Sequence, residues 1–127
     1  MSYDYGSLFG RIFLYMLNDP CISVERLSRE LKVSRRTIQE VIRVRAAKSY
    51  RALRQEILVA KTRQLFADEP SLAIKEISFA IGFVSARSFA RAIRRACGLS
   101  PKDLRSCAVA NKQFRDYDAG KVPENTI

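Results

Sequence analysis

The sequence contains no histidine and no tryptophan, and it has only three cysteines in 127 residues. Histidine is the side chain that proteins use most often as a proton carrier near neutral pH and as a metal ligand. Cys21, Cys97 and Cys107 stand at unrelated spacings, so no pair has the separation of a zinc site. Because nucleophile–base pairs and carboxylate clusters are also missing, we expect no catalytic residue, no metal, no cofactor and no enzymatic activity.

A long uninterrupted hydrophobic run is also missing. The apolar stretch from Leu8 to Leu17 contains Arg11 and is shorter than the ~20 residues that a membrane helix needs. The N-terminus carries Asp4, whereas a secretory signal starts with basic residues. An odd number of cysteines fits a reducing compartment. We therefore expect a cytoplasmic protein that does not span a membrane.

Acidic residues are scarce relative to basic ones: 13 against 23, which gives a formal net charge of +10. Such a charge on a small chain favours a polyanionic partner, either nucleic acid or an anionic membrane surface. A basic surface that only keeps the protein in solution is the simplest alternative. The hydrophobic fraction of 47% allows an ordinary core in one domain, or in two very small ones.

The sequence shows no alternating strand pattern, and almost every segment has helical spacing, so the expected fold class is all-α. A serine before most of the apolar-periodic segments indicates where a helix starts. These serines are Ser7, Ser23, Ser34, Ser49, Ser85 and Ser100. Asp19-Pro20 and residues 68–71 mark helix ends. From about Ser106 the periodicity fades, and residues 107–127 are expected to form a flexible tail.

An internal repeat relates two of these regions. The first copy places apolar or capping residues at Val24, Leu27, Leu31, Ser34, Ile38 and Ile42. The second copy places them at Ile74, Ile77, Ile81, Ser85, Phe89 and Ile93, with one extra residue in the turn that contains Gly82. Each copy predicts a short helix, a tight turn and a capped second helix, which is the helix-turn-helix layout. A pair of ordinary antiparallel helical hairpins is the alternative, and the repeat argues against it.

The outward positions of each second helix carry groups that suit DNA. In the first copy they are Arg35, Arg36, Gln39, Glu40 and Arg43. In the second copy they are Ser85, Ala86, Arg87, Ser88, Ala90, Arg91, Arg94 and Arg95. Arginine pairs with guanine and glutamine with adenine, whereas serine hydroxyls and helix N-terminal amides suit phosphates. A solvated charged face is the alternative, but residues 87–95 contain no acid. We therefore predict that these residues bind double-stranded DNA.

The second half contains a set of short motifs that ends at Arg105. They are Ile74-x-x-Ile77-Ser78, Gly82-Phe83, Ser88-Phe89-x-Arg91, Ile93-Arg94 and Gly98-Leu99-Ser100-Pro101. In these motifs the sequence resembles the DNA-binding domain of AraC/XylS-type transcriptional regulators. The first half is similar at Leu27-Ser28, Val33-Ser34, Ile38, Ile42, Ser49-Tyr50 and Leu65-Phe66. The resemblance spans about Phe9 to Arg105.

The resemblance implies two helix-turn-helix subdomains, residues 5–48 and 69–106, joined by a linker helix at residues 49–68. It also implies a transcription regulator at the nucleoid, most often an activator that contacts RNA polymerase. We expect no separate effector domain of the kind that many members carry, because the chain resembles the minimal members that bind DNA as monomers. The implied base-contacting residues are Arg36, Gln39, Glu40, Ala86, Arg87, Ser88, Ala90 and Arg91.

The sequence departs from the family pattern at four positions. Glu40 stands where a basic or polar residue is common, Ala47 where glycine is usual, Leu58 where arginine is usual and Thr62 where alanine is usual. A carboxylate that faces DNA is repelled by phosphates unless it accepts a hydrogen bond from cytosine. An adaptor or anti-activator that works mainly through protein contacts is therefore the alternative function, since the first half matches more loosely.

The expected linker helix, Tyr50 to Ala67, has 18 residues and a length of about 27 Å. Its apolar residues form two stripes, Tyr50, Leu53, Ile57 and Ala60 on one and Leu58, Leu65 and Phe66 on the other. Two stripes are typical of a helix that packs on both subdomains. Successive major grooves are ~34 Å apart, so one chain is expected to read a site of roughly 20 bp. Because the second helices of the two copies differ in sequence, that site is expected to be non-palindromic.

Overall fold

The computed structural model of the protein describes residues 4–116, and the side chains of residues 4–111. The described chain forms helices without strands, which confirms the all-α prediction. The helices are α1 (Tyr5–Asn18), α2 (Val24–Leu31), α3 (Arg35–Ala46), α4 (Tyr50–Asp68), α5 (Ile74–Ile81), α6 (Ala86–Cys97) and α7 (Pro101–Asp116).

Polar side chains cap most of the helix starts, largely as the serine pattern predicts. The hydroxyls of Ser23, Ser34, Ser49 and Ser85 each accept a hydrogen bond, 3.0–3.1 Å long, from the backbone N–H three residues later. Helix α1 is the exception, because Asp4 rather than Ser7 is its cap: the Asp4 carboxylate accepts from the Ser7 N–H at 3.3 Å. Aspartate caps a helix as well as serine does, so the helix starts earlier than expected.

The two halves repeat one arrangement of helices. Residues 32–34 join α2 to α3, and residues 82–85 join α5 to α6, so the second turn has the extra residue that the repeat predicts. Both turns open with a positive φ, 59° at Lys32 and 121° at Gly82. Glycine adopts this conformation without steric cost, whereas lysine does so with some strain.

The buried apolar side chains form two clusters, one in each half. Cluster 1 contains Leu8, Ile12, Met16, Ile22, Leu27, Leu31, Ile38, Val41, Ile42, Leu53 and Ile57. Cluster 2 contains Leu58, Phe66, Ile77, Ile81, Phe89, Ile93, Leu104 and Ala108. Helix α4 contributes to both clusters, as its two stripes predict, although Ala60 is exposed and belongs to neither. With 19 residues, α4 is a rod about 28 Å long that runs from one core to the other.

Two of the residues that depart from the family pattern lie on the side of α4 that packs on the second half. Leu58 belongs to cluster 2, and Thr62 is fully buried. The Thr62 hydroxyl oxygen makes no hydrogen bond within the described part of the chain. A buried polar group without a partner costs ~1–3 kcal/mol, so we expect Thr62 to lower the stability of the protein.

Helix α7 is longer than the fading periodicity suggests. It continues to Asp116, and Ala108 is only 3% exposed. Ala108 lies one helical turn after Leu104 and packs with it in cluster 2. Because alanine is a weak apolar signal, the expected boundary at residue 106 was too early: residues 107–116 are helical rather than a flexible tail. The remainder of the expected tail, residues 117–127, lies outside the described residues.

In addition to α4, a second set of residues, here called the junction, brings the two halves together. It consists of the loop Asp19–Cys21 and the turn at Gly82. A Cβ atom added to Gly82 would lie 3.5 Å from the Asp19 carboxylate and 3.7 Å from the Cys21 sulfur. Arg54 of α4 holds the same loop, because its Nε and Nη2 donate to the carbonyls of Pro20 and Cys21 at 3.1 and 3.2 Å. Burial, followed by the nearby Asp19 carboxylate, raises the pKa of the Cys21 thiol.

Candidate nucleic-acid interface

The residues predicted on the outer face of α3 are all exposed. The N-cap Ser34 starts the helix, and Ile38, Val41 and Ile42 anchor its opposite face in cluster 1. This leaves the remaining positions directed to solvent. Among them are the five predicted residues Arg35, Arg36, Gln39, Glu40 and Arg43. The structure therefore places these five side chains on one accessible helix surface.

Two of the three arginines in that set are already paired with acids. Arg35 forms an ion pair with Glu25 of α2 at 3.0 Å, and Arg43 forms one with Glu40 at 2.9 Å. The Tyr5 hydroxyl donates to the second oxygen of Glu40 at 3.4 Å. Exposed pairs of this kind are worth only ~0–1 kcal/mol, so phosphate groups can replace them. They nevertheless neutralise part of the α3 surface.

The ion pair with Arg35 also affects the titration of Glu25. A hydrogen bond from its own backbone N–H, followed by the bond from Arg35, lowers the pKa of the Glu25 carboxyl. The carboxylate therefore remains charged throughout the neutral range. On α3, Arg36 and Gln39 keep their side-chain donors free of any partner in the described chain.

Helix α6 presents a different surface. Its buried residues Phe89 and Ile93 pack into cluster 2. The arginines Arg87, Arg91, Arg94 and Arg95 are exposed, and none forms an ion pair with a described residue. Four cations therefore point outward from three helical turns without compensation.

The small residues of the predicted set are half-buried along the start of α6. They are Ser85, Ala86, Ser88 and Ala90. The Ser85 hydroxyl proton is already used, because the hydroxyl donates to the Ser88 hydroxyl and accepts from the Ser88 N–H, both at 3.1 Å. Ser88 keeps a free hydroxyl proton, so it is the better phosphate donor of the two. The alanines leave room for close approach to a ligand.

The two outer helices also end differently. Helix α3 ends at Ala47 in the left-handed conformation (φ 58°), and α6 ends at Gly98 (φ 80°). A left-handed residue at this position lets its N–H bond back to the helix, and glycine reaches it most easily. The alanine at position 47 therefore keeps the expected cap geometry at the cost of strain.

Sequence reasoning missed the partners on the first half. Tyr5 reaches Glu40 across 35 residues, and Glu25 reaches Arg35 across ten. Neither separation is a helical repeat, so no spacing rule could have revealed them. It also missed Val84, which lies directly before the α6 cap and is 87% exposed. An exposed valine in a turn gives no periodic signal.

Two kinds of feature are absent from residues 4–116. No helix there is long and apolar enough to cross a bilayer. The same residues include no group of histidine, cysteine or acidic side chains that could hold a metal ion.

Residues 27–106 match the family model of a helix-turn-helix domain. No curated protein gives a significant match to the chain. Among solved structures, the chain is similar to the C-terminal domain of AraT, a response regulator from Geobacillus stearothermophilus. The TM-score is 0.70, with 22% identity over 83% of this chain and 88% of that one.

Two further solved structures share the fold. One is an AraC-type transcriptional regulator from Chromobacterium violaceum, with a TM-score of 0.62 and 22% identity over 80% of this chain and 90% of that one. The other is the transcriptional regulator CdpR from Pseudomonas aeruginosa, with a TM-score of 0.57 and 31% identity over 74% of this chain and 29% of that one. The family is a class of regulator domains rather than of enzymes. By its motifs, its fold and the family model that covers most of its length, the chain belongs to the AraC-type helix-turn-helix DNA-binding domains of transcriptional regulators.

Proposed function

We propose that a single chain binds a specific site on double-stranded DNA, with α3 and α6 in two successive major grooves. The observation that carries this proposal is the α4 rod, which packs into both clusters and so connects α3 and α6, two helices with exposed outer faces. Its length of about 28 Å is close to the ~34 Å between successive major grooves. Because α3 and α6 differ in sequence, the site is asymmetric and about 20 bp long.

Within this site, the residues have separate roles. Arg87 and Arg91 of α6, and Arg36 and Gln39 of α3, contact base edges, because their donors are exposed and free. Ala86 and Ala90 allow α6 to approach the groove floor. The remaining members of the predicted set contact phosphates or position their neighbours. They are Arg35, Glu40, Arg43, Ser85, Ser88, Arg94 and Arg95.

The regulatory output in this proposal is activation of transcription through contact with RNA polymerase in the cytoplasm. This part of the proposal rests on the family, and on the idea that a chain bound to DNA as a monomer leaves part of its surface open to RNA polymerase. Exposed Phe79 and Val84 of the second half offer apolar contacts beside the DNA-binding face. In vitro transcription from a promoter with a bound site is expected to increase when the protein is added, and repression at every such promoter would contradict this part.

Selection of DNA sequences from a random pool tests the DNA-binding part. We expect one enriched, non-palindromic site with two conserved blocks about one helical turn apart. A palindromic site, or uniform weak binding without enrichment, would contradict it.

An adaptor function is the second candidate, and the ion pairs on α3 favour it. A helix with two arginines paired with Glu25 and Glu40 offers a mixed-charge surface that suits a protein partner. Enrichment of the α6 block alone in the same selection would support this second function.

A further inference from the structure

A cavity of about 430 Å³ lies between the two halves, beside the junction. Its lining comes from the α1–α2 loop, from the first half of α4, from the turn after α5 and from α6. The apolar part includes Tyr50, Leu58 and Phe83, which are buried or half-buried. Cavities of ~300–1,000 Å³ with a mainly apolar lining are typical of small-molecule sites.

The polar part of the lining is strongly cationic. It includes Arg51, Arg54 and Arg95, and no acidic residue lines the cavity. Arg51 and Arg95 are exposed and make no ion pair within the described chain. Arg54 is fixed by its bonds to the Pro20 and Cys21 carbonyls, but its third nitrogen, Nη1, has no such bond. This contrasts with α3, where acids pair with two of the four arginines.

We propose that this cavity binds a small organic anion with an apolar body, such as an aromatic or medium-chain carboxylate. The carboxylate accepts from the guanidinium groups of Arg51 and Arg95, where charge-assisted hydrogen bonds are strong. The apolar body packs on Tyr50, Leu58 and Phe83. A DNA phosphate gains nothing from that apolar surface, so the combination fits a free organic anion better than the DNA backbone.

Binding there has a regulatory consequence, and this part rests on the proposed DNA-binding function. Arg95 belongs to the outer set of α6 and also lines the cavity. A ligand that holds Arg95 removes one phosphate contact, so it weakens DNA binding. Linkage requires that DNA weakens ligand binding by the same factor. No separate effector domain is needed, because the site lies within the DNA-binding unit.

The binding test uses the whole chain without DNA, so its result does not depend on the proposed function. Isothermal titration with decanoate and with 2-naphthoate is expected to show saturable binding of at least one, with decanol and 2-naphthol as uncharged controls. Arg51→Gln removes a charge from an exposed side chain without a partner, and Arg63→Gln removes one from the same helix outside the cavity. We expect Arg51→Gln to weaken binding roughly tenfold and Arg63→Gln to leave it unchanged.

Three results would overturn the site. They are no saturable binding of either anion at millimolar concentration, equal binding of the alcohols, or equal effects of the two variants. If neither anion binds and Arg51→Gln weakens DNA binding instead, the cavity belongs to the DNA interface and the proposal is wrong. The regulatory part fails if an anion binds but leaves the DNA affinity of the wild-type chain unchanged. A chain that binds the anion but no DNA would contradict the proposed function alone.

Discussion

Helices α3 and α6 occupy equivalent places in the two halves, yet they carry charge differently. Arg35 and Arg43 of α3 are paired with acids, whereas the four arginines of α6 have no acidic partner in the described chain. An arginine without an acidic partner contributes the full free energy of a phosphate contact. A paired arginine contributes less, because it must first break its ion pair. If both helices bind DNA as proposed, we expect α6 to supply more of the electrostatic affinity than α3.

Changing the distance between the two DNA blocks tests whether both helices read DNA at all. Inserting about five base pairs between the blocks turns one groove to the opposite side of the duplex. Because α4 packs into both clusters and fixes the spacing of α3 and α6, we expect affinity to fall on the order of 100-fold, measured by gel shift. The same insertion outside the site is the control and leaves binding unchanged. Full affinity after the internal insertion would mean that only α6 reads DNA.

Single arginine substitutions compare the two faces directly. Arg87→Ala or Arg91→Ala is expected to cost ~1–3 kcal/mol at the specific site and to relax preference at one position. Arg35→Ala is expected to cost less than about 1 kcal/mol, because the wild-type side chain gives up Glu25 when it binds phosphate. Fluorescence anisotropy on matched and mutated sites measures both the loss and the change in preference.

Glu25→Gln is the complement of these variants. It leaves Arg35 unpaired, so a small gain in affinity is expected. If Glu25→Gln weakens binding, or if Arg35→Ala costs as much as Arg87→Ala, the asymmetry of the two faces does not control affinity.

Salt dependence separates phosphate contacts from base contacts. With about six phosphate contacts, the slope of log affinity against log salt is on the order of −5. Arg94→Ala and Arg95→Ala are each expected to reduce the magnitude of that slope by about 1 and to weaken all sequences alike. Arg35→Ala should change it less. A slope near zero for the wild-type chain would remove the electrostatic basis of this comparison.

The interiors of the two halves also differ, because the second contains the unpartnered hydroxyl of Thr62. Thr62→Val replaces that hydroxyl with a methyl group of similar shape and is expected to raise the free energy of unfolding by about 1 kcal/mol. Thr37→Val in the first half removes a hydroxyl that bonds Ser34 at 2.9 Å, so no gain is expected there. Urea denaturation followed by circular dichroism measures both variants. Equal effects would show that the Thr62 hydroxyl is not destabilising.

The smallest expected effect concerns the ends of the two outer helices. Ala47→Gly relieves the strain of the left-handed residue but adds freedom to the unfolded chain, so a net gain of about 0.5 kcal/mol is expected. Gly98→Ala makes the reverse change at α6 and is expected to destabilise the protein. Thermal unfolding of both variants measures whether stability rises or falls. A loss of stability in Ala47→Gly would contradict the proposed strain at this cap.

Much of the fold was predictable because its signals are local. Serine caps, turn glycines and apolar spacing predicted the all-α class and the helix-turn-helix repeat. They also predicted the two faces of α4, since each of these features is fixed within a few residues. Two helix boundaries were not predicted. Asp4 rather than Ser7 caps α1, and α7 continues past Ser106 because its inner face depends on a small alanine.

The surface of the site was only partly predictable. The helical spacing of the apolar residues predicted which arginines are exposed. It did not predict which of these arginines form ion pairs. The pairs Arg35–Glu25 and Tyr5–Glu40 depend on how α1 and α2 pack on α3, and that packing is a tertiary property. The cavity near Arg51 and Arg95 was missed for the same reason, since its lining comes from four separate segments.

If one chain binds DNA through both helices, as proposed, the closeness of Gly82 to the Asp19–Cys21 loop affects how tightly it holds its site. When one recognition helix is bound, the other searches only the volume that the frame permits, so its effective concentration near the second groove depends on stiffness. If α4 and the junction hold that spacing, the concentration is high at the correct groove separation and close to zero at others. Any other residue at position 82 is strained by the φ of 121°, so a substitution there is expected to loosen the turn and reduce avidity without altering the predicted DNA-binding residues of α3 and α6.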